Sequence, residues 1–364
     1  MKIVIVGGGI GGLSAARELS LRGLKVTVLE RAEKLNPVGA GIIMNPNAMG
    51  VLERNGLADA VRRESWPYLV RETRDPAGRL LATRDYRPLY ESGKLAQGAL
   101  VHRAHLLDVL FQSLPAGTVQ FGKNISSVRE VEADLVIGAD GIRSQVRREL
   151  FGEFAPRYMG YRSHRLIMDN LAEVKCFTEY LGRGQRIGLV PISASRLYVW
   201  TTFNSRQRQE PSTDLARMFS RFTHAPVRRV LEARHDNVIV TEIEELWSDD
   251  WIRVSGHLTA VLLGDAAHAM TPNIGQGAGM AMEDAAVLAE EICNTSDVEM
   301  ALAKYAGRRK PRVQTVMRVS RQVGEDGQKW NPFSCWLRNR RVEREGRDVQ
   351  KSLADLERLL SFSR

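Results

Sequence analysis

The fold of this chain is decided by the stretch Val4-Ile5-Val6-Gly7-Gly8-Gly9-Ile10-Gly11-Gly12 and by the acid that follows it, Glu30. Residues 2–6 form a short apolar run that predicts a buried strand. Apolar residues then recur at helical spacing over 10–21, and a second apolar run covers 25–29. The order strand, helix, strand predicts a βαβ unit with the glycines in its first loop.

The three glycines Gly7, Gly9 and Gly12 suit a dinucleotide loop for separate reasons: a tight turn, close approach of the backbone to pyrophosphate, and close packing of helix on strand. The phosphates would lie at a helix N-terminus, where free N–H groups favour an anion. Glu30 ends the second strand, where a carboxylate can accept both hydroxyls of the adenosine ribose. A glycine loop alone would equally suit an NAD site or a simple turn, but the strand, helix and acid together favour dinucleotide binding.

Two further segments follow predicted buried strands at 135–139 and 260–263. They are Gly138-Ala139-Asp140-Gly141-Ile142-Arg143-Ser144 and Gly264-Asp265-Ala266-Ala267-His268. Each places an aspartate at the carboxyl edge of a parallel sheet, where ligands of open α/β folds bind. The alternatives are a plain Asp-Gly turn for the first and a helix cap for the second; the presence of both favours a functional role.

The middle of the chain changes character. Residues 186–191 and 197–202 alternate or are rich in β-branched and aromatic side chains, which is typical of strands in a mixed or antiparallel sheet. Helices are predicted at 274–292, 301–323 and 342–360, with the last two joined through 324–332. We therefore predict an α/β fold, in which a Rossmann-like domain carries an inserted mixed β-sheet domain and C-terminal helices.

Composition sets outer limits. The chain has 364 residues, 43% hydrophobic and 26% charged, which is typical of a globular protein. Apolar runs fall short of the roughly 18 residues of a membrane span, and the first strand begins almost at Met1, so we expect a cytoplasmic protein without a signal peptide. Cys176, Cys293 and Cys335 are widely spaced, so neither a disulfide framework nor a metal site is predicted.

The net charge of +9 raises the question of a nucleic-acid partner. Basic residues concentrate in Arg308-Arg309-Lys310-Pro311-Arg312 and Arg338-Asn339-Arg340-Arg341. Because apolar and acidic residues alternate with them, we interpret these stretches as solvated helix faces and expect no nucleic-acid partner. The alternative is attraction of an anionic ligand such as NADPH, or of an anionic membrane surface in a peripheral contact.

The three segments, with Arg103 in the stretch Val101-His102-Arg103-Ala104-His105-Leu106, resemble those of the single-component FAD-dependent aromatic hydroxylases, the para-hydroxybenzoate hydroxylase-like flavoprotein monooxygenases. The resemblance covers nearly the whole chain. It implies an FAD-binding domain at 1–69, 97–160 and 255–323, a substrate domain at 70–96 and 161–254, and a C-terminal helical segment at 324–364. The FAD ligands that it implies are Gly7, Gly9, Gly12, Glu30, Arg31, Gly41, Arg103, Asp140, Asp265, Gly275 and Gly277.

Residues 269–277 look like the family's loop beside the isoalloxazine ring, and the resemblance places Pro272 there. Backbone N–H groups at the start of the following helix would stabilise the anionic reduced flavin. His268 precedes this loop, and two interpretations stay open for it: proton transfer in catalysis, or a structural role.

Within the family, the loop Thr271-Pro272-Asn273-Ile274-Gly275-Gln276-Gly277 and the tail at 330–339 resemble the 2-alkyl-4-quinolone 3-hydroxylases. The resemblance to urate hydroxylases is more distant, and Asn273 replaces an acid in the loop of those enzymes, which argues against a urate-like substrate. The urate enzymes' substrate-contacting arginine and tyrosine match Arg186 and Tyr198. The alternatives are a surface role for Arg186 and a core role for Tyr198. Trp330, Phe333 and Trp336 would cover an apolar acyl tail or, more simply, pack helices together.

The resemblance implies an enzyme that takes electrons from NADH or NADPH, forms a flavin C4a-hydroperoxide with O2, and hydroxylates a small aromatic or heteroaromatic substrate. Two other functions stay open: an FAD-dependent reductase or dehydrogenase that inserts no oxygen, and a flavin-bearing sensor. The segment 123–134 is shorter than the hairpin usual in the family. The sequence leaves open the substrate's identity and the oligomeric state.

Overall fold

The computed structural model describes residues 1–35, 40–152, 155–205, 212–235, 237–255 and 258–362; within these ranges the side chains of 349–352 are not described. In chain order the strands are β1 (Ile3–Val6), β2 (Val26–Leu29), β3 (Gly41–Met44), β4 (Ser65–Pro67), β5 (Val70–Arg74), β6 (Leu80–Asp85), β7 (Ala99–His102), β8 (Val119–Gln120), β9 (Leu135–Gly138), β10 (Arg157–Asp169), β11 (Phe177–Leu181), β12 (Gln185–Pro191), β13 (Arg196–Asn204), β14 (Ile239–Glu245), β15 (Ile252–Ser255) and β16 (Leu258–Leu262).

The α-helices, in the same order, are α1 (Ile10–Leu21), α2 (Pro46–Arg54), α3 (Ala58–Arg63), α4 (Arg87–Glu91), α5 (Arg103–Gln112), α6 (Gln145–Phe151), α7 (Leu215–Met218), α8 (Ala225–Glu232), α9 (Asp265–His268), α10 (Gly277–Asn294), α11 (Val298–Gly327), α12 (Pro332–Arg347) and α13 (Val349–Leu360). Short 3-10 turns occur at Val128–Glu130 and Pro272–Ile274. The described part of the segment 123–134 contains the first of these turns and no hairpin strands.

A six-stranded sheet in the order β15-β16-β9-β1-β2-β8 carries the dinucleotide loop. Strands β16, β9, β1, β2 and β8 are parallel to their neighbours, and β15 is an antiparallel edge. Helices α1, α10 and α11 pack on it, and β1, β9 and β16 are almost wholly buried because helices or other strands cover both faces. The predicted βαβ unit and the Rossmann-like fold class are confirmed.

A seven-stranded mixed sheet runs in the order β14-β10-β13-β12-β11-β5-β6. Its strands come from two separate parts of the chain, 70–85 and 157–245, and β5 lies parallel to β11 while the other pairs are antiparallel. A three-stranded antiparallel sheet, β3-β7-β4, takes two strands from the segment before residue 70 and its central strand, β7, from between the two parts. The origin of the strands supports the domain limits given above, which remain our proposal.

The C-terminal helices differ from the prediction. Helix α11 continues through Gly324 to Gly327 instead of ending at 323, and the predicted helix at 342–360 is divided at Asp348 between α12 and α13. Gly324 does not end a helix: a Cβ there would lie 2.3 Å from the Asn273 side-chain nitrogen, so the glycine permits close approach of the loop. None of the helices in the described ranges is both long and apolar enough to cross a membrane.

Candidate active site

A cavity of about 530 Å³ opens between the carboxyl edge of the six-stranded sheet and one face of the seven-stranded sheet. The predicted site residues that line it are Gly9, Gly41, Arg103, Asp265, Pro272, Gly275 and Gly277 from the dinucleotide-binding side, and Arg186 and Tyr198 from the mixed sheet. The predicted residues that lie outside its lining are Gly7, Gly12, Glu30, Arg31, Asp140 and His268. The structure therefore brings most of the predicted set together around one space.

The glycine loop is shaped by contacts within the protein as well as by the cavity. Gly7 has φ of +109°, and a Cβ there would lie 2.5 Å from the Ala139 carbonyl oxygen. A Cβ on Gly12 would lie 1.9 Å from the Gly7 carbonyl oxygen, whereas one on Gly9 would meet nothing within 4 Å. Gly7 and Gly12 thus permit the close packing, and Gly9 leaves backbone exposed to the cavity for a ligand.

Glu30 is held at the end of β2 by two backbone donors. The Gly8 N–H donates to Oε2 at 2.6 Å and the Ala32 N–H donates to Oε1 at 2.9 Å. Each carboxylate oxygen keeps a second acceptor site, because an ionised carboxyl group offers about four. The arrangement fits acceptance of two ribose hydroxyls, while Arg31 is exposed and its contact with FAD stays a prediction.

Arg103 gives the sharpest test of whether FAD fits. It begins α5 and lines the cavity, and its Nε is buried without a hydrogen-bond partner among the described residues. Burial lowers the pKa of Arg103, against the raising effect of Asp265. A buried guanidinium N–H without a partner is costly unless an anionic or polar group reaches it. The pyrophosphate and ribitol of FAD supply such groups, so the residues present fit this cofactor.

The Asp140 side chain makes its hydrogen bonds within the protein. Its Oδ1 accepts from the Ser144 hydroxyl at 2.5 Å and its Oδ2 accepts from the Gln145 N–H at 2.6 Å, at the start of α6. The neighbouring Ala139 and Gly141 line the cavity instead. The Asp140 side chain thus stabilises the start of α6, and direct contact between Asp140 and FAD stays a prediction.

The loop that precedes α10 faces the cavity along its length. Pro272 begins a 3-10 turn that ends at Gly275, whose φ of +64° suits glycine. Gly277 begins α10, and both Gly277 and Ala278 line the cavity. The first N–H groups of a helix lack intrahelical partners, so this end of α10 presents donors and partial positive charge to the cavity.

His268 lies in a buried ionic network. Its Nε2 lies 2.6 Å from Asp284 Oδ2, and Arg309 Nε donates to Asp284 Oδ1 at 2.7 Å. Burial raises the pKa of Asp284, but His268 and Arg309 outweigh this and lower it to about 2. Asp284 also accepts from the Gly264 N–H at 3.0 Å. Of the two interpretations of His268, the structure favours the structural one, since the ring holds the segment that carries Asp265.

Arg186 is fully buried and lines the cavity, which excludes the surface alternative. Its Nη1 donates to Glu179 at 3.2 Å, its Nε to the Thr202 hydroxyl at 3.2 Å, and its Nη2 to the Asn273 side-chain oxygen. Glu179 also binds Arg71, which lines the cavity too. Sequence reasoning missed Glu179 and Arg71; because one carboxylate serves two arginines, this group keeps a net positive charge beside the cavity.

Tyr198 is buried and forms part of the cavity wall. Burial raises the pKa of Tyr198, although Arg165 and Arg103 lower it, so the phenol stays protonated at neutral pH and can donate. Glycines flank the aromatic wall: a Cβ on Gly41 would lie 2.4 Å from the Tyr198 ring, and one on Gly188 would lie 2.0 Å from the Trp200 indole.

The cysteines take no part in the cavity. Cys176 is half-buried, Cys293 exposed and Cys335 buried, and all three are free thiols. Among the described residues, no cluster of His, Cys, Asp and Glu side chains has the arrangement of a metal site.

Comparison with known proteins agrees with this geometry. The family described as FAD binding domain matches residues 1–320. The chain is 34% identical over 363 residues to the aurachin C monooxygenase/isomerase of Stigmatella aurantiaca, and 32% identical over 364 residues to the 2-heptyl-3-hydroxy-4(1H)-quinolone synthase of Pseudomonas aeruginosa, with 93% of each chain covered in both cases. The crystal structure of Klebsiella pneumoniae HpxO complexed with FAD and uric acid superposes with a TM-score of 0.88 at 27% identity, over 100% of this chain and 98% of that one.

Proposed function

This chain belongs to the FAD binding domain family, and on that premise we propose that it uses NAD(P)H and O2 to hydroxylate a quinolone-like heteroaromatic ring. The broader activity follows from its relatives: it is an FAD-dependent monooxygenase that acts on an aromatic substrate. One observation carries the proposal. The dinucleotide loop, Arg103 and the start of α10 face the same cavity as the aromatic side of the mixed sheet.

Bound FAD supplies the acceptance of hydride from NAD(P)H and the activation of O2. The protein's part is to hold and polarise it. Glu30 fits the adenosine ribose, Arg103 fits an anionic or hydroxyl-rich portion, and the N–H groups at the start of α10 favour negative charge near them. Asp265 is exposed toward the cavity and is positioned by Gly264, which Asp284 holds.

The mixed sheet supplies the substrate contacts. We assign Arg186 to an oxygen on the substrate ring, because its charge is fixed in place by Glu179, Thr202 and Asn273 and favours the anionic form of that oxygen. The protonated Tyr198 hydroxyl is placed to donate to the substrate, and the Tyr198 ring is placed to stack on it. A more electron-rich ring is the better nucleophile, so these contacts orient and activate the substrate at once.

The choice of a quinolone-like ring rests on two supports. The wall of the cavity contains the aromatic side chains Tyr68, Phe177 and Trp200 as well as Tyr198. The amide of Asn273, where urate enzymes have an acid, is committed within the protein: its nitrogen donates to the Ser320 carbonyl oxygen at 2.9 Å and to the Tyr161 hydroxyl at 3.0 Å. A large apolar ring suits this lining better than a small polar one.

The test is anaerobic stopped-flow reduction of the bound flavin by NADH and by NADPH, with and without a 2-alkyl-4-quinolone or a small phenol. We expect one of the two reductants, NADH or NADPH, to bleach the visible flavin band slowly when no aromatic compound is present and much faster when the quinolone is present. If the phenol accelerates flavin reduction and the quinolone does not, the substrate is a simpler ring than a quinolone. Reduction at one rate with every aromatic would contradict a substrate-gated hydroxylase.

Oxygen incorporation separates the remaining alternatives. Turnover under 18O2 should give a product heavier by one labelled oxygen atom, since a hydroxylase takes its oxygen from O2. A product without the label would indicate the reductase or dehydrogenase, and FAD binding without any turnover would indicate the sensor.

A further inference from the structure

A patch of large apolar side chains is exposed around the start of α12. The exposed fractions are 65% for Trp330, 67% for Phe333, 52% for Trp336 and 47% for Leu337. We call these four residues the apolar patch. Single exposed apolar residues are ordinary, but four lie here within eight positions, and the Phe333 and Trp336 rings stack with their centres 6.0 Å apart. Clustered exposed apolar side chains of this kind mark an interaction site. The prediction that the aromatic members pack helices together is wrong.

The patch is held outward by the opposite side of α12. The Asn331 side chain caps the helix by accepting from the Phe333 N–H at 2.9 Å. On the inner side Cys335 is buried, and the buried Arg338 donates to the Gly182 carbonyl oxygen at 3.0 Å. At the far end a Cβ on Gly346 would lie 2.7 Å from the Ala82 Cβ, so the helix rests closely on β6. The helix cannot rotate its apolar patch inward without breaking these contacts.

The same outer side of α12 continues as a row of arginines. At about 100° per residue, Phe333, Trp336 and Leu337 share an arc of about 100° with residues 340, 344 and 347, which are all exposed arginines. The Arg340 guanidinium lies 5.6 Å from the centre of the Trp336 ring. Arg344 and Arg347 form no ion pair with any described residue. From 330 to 347 the sequence has five arginines and two glutamates.

We propose that this outer side of α12 docks the protein peripherally on an anionic lipid surface. Tryptophan and phenylalanine side chains favour the boundary between lipid headgroups and acyl chains, and arginines beside them bind lipid phosphates. Each arginine near an anionic surface contributes about a fivefold gain in partitioning. The apolar patch and the arginine row are arranged end to end along one helix, so both engage the surface together.

A second copy of the chain fits this side less well. A standard interface engages about 20–30 residues on each side, far more than the four of the patch. A second copy would also present an identical row of arginines, and two such rows carry like charges, with no acidic side chain in either row to pair with. The inference concerns a surface outside the cavity and does not depend on which ring the enzyme hydroxylates.

The test uses the full FAD-loaded chain in co-sedimentation with vesicles of phosphatidylcholine alone and of phosphatidylcholine with 30% phosphatidylglycerol. We expect binding to the anionic vesicles, weakened by high salt. The double variant Phe333→Ser/Trp336→Ser should lower partitioning at least tenfold, and Arg344→Gln/Arg347→Gln should lower it about 25-fold, about fivefold for each arginine. The matched control is Leu171→Ser/Met300→Ser, which removes two side chains that are 54% and 52% exposed elsewhere and should leave binding unchanged.

Three outcomes would overturn the proposal. Wild-type protein that stays in the supernatant with anionic vesicles would do so, as would binding that the Phe333→Ser/Trp336→Ser variant retains. The third is a dimer in sedimentation velocity without vesicles that the same variant dissociates, which would make the patch an interface between copies. FAD content and circular dichroism confirm that each variant is folded.

Discussion

Substitution of Asp284 by asparagine tests the buried ionic network beneath the cavity. Asp284 is wholly buried and accepts from His268, Arg309 and the Gly264 N–H. An asparagine has the same shape but only one acceptor oxygen, and its other terminal atom is an NH2 donor. The donors on one side of the group, either Arg309 or His268 with the Gly264 N–H, would then face this NH2 group. The change therefore removes the charge and at least one hydrogen bond while leaving the volume of the side chain unchanged.

The expected loss of stability is about 3 kcal/mol from two separate estimates. Breaking a buried ion pair by removing one partner costs about 3–5 kcal/mol, and the lower end applies because Arg309 keeps Glu283 at 2.6 Å. The pKa of Asp284 falls from 3.8 to about 2 on folding, and about 1.4 kcal/mol per pKa unit gives about 2–3 kcal/mol. With an unfolding entropy of about 2.1 cal/mol/K per residue over 364 residues, Tm falls by about 4 °C.

The assay is thermal unfolding at fixed saturating FAD, with Asp59→Asn at an exposed side chain as the control. Because the folded pKa of Asp284 is lowered, its contribution is complete above the unfolded pKa of about 4 and is lost as pH falls toward 2. The Tm gap should stay constant from pH 8 to about 5 and narrow below about 4. FAD should also bind several-fold more weakly, since Gly264 loses its anchor. A Tm equal to that of Asp59→Asn, or a gap that closes above pH 5, would refute this account.

Other substitutions address the cofactor and the substrate separately. Glu30→Ala should purify with little FAD, because the carboxylate placed for the ribose is lost; full occupancy by absorbance would remove that assignment. Arg186→Met should raise the Kd of an aromatic substrate at least tenfold in a flavin absorbance titration with FAD content intact, and an unchanged Kd would exclude Arg186 from the substrate contacts. Gly41→Ala should also weaken substrate binding at least tenfold, since its Cβ would lie 2.4 Å from the Tyr198 ring; because Gly41 is also a predicted FAD ligand, the Kd is compared at full FAD occupancy. Gly50→Ala, with nothing within 4 Å, should bind normally.

Local features of the fold were predictable from the sequence. The helix predicted at 10–21 has those limits, and the strands at 26–29, 135–138 and 185–191 lie within a residue or so of the predictions. Hydrophobic period and glycine spacing act over a few residues, so a sequence displays them directly. The three segments also met at one cavity, because parallel strands present their carboxyl ends at one edge of a sheet.

Contacts between residues that are far apart in the sequence were not predictable in the same way. Arg186 is 87 residues from Asn273 and Glu179 is 108 residues from Arg71, and the spacing of these residues along the chain contains no sign of the contact. The basic stretch at 308–312 was interpreted as a solvated face, which is wrong for Arg309: it is buried and paired with Asp284. Alternation of charged and apolar residues shows that a helix has a charged side and an apolar side. It does not show whether a second helix places carboxylates against the charged side.

The wall of the cavity on the side of the mixed sheet contains one feature, a glycine inside a strand, that the sequence displays and that is easy to overlook. Gly188 lies inside β12 directly opposite Trp200 on β13, and a Cβ there would overlap the indole. A glycine inside a strand marks the close approach of another group. Any larger residue at 188 would displace the Trp200 ring, as a side chain at 41 would displace the Tyr198 ring. The shape of the substrate cavity therefore depends on two pairs, Gly188 with Trp200 and Gly41 with Tyr198. In each pair the glycine leaves room for the aromatic ring, so comparisons of substrate specificity within this family should consider the glycines together with the rings.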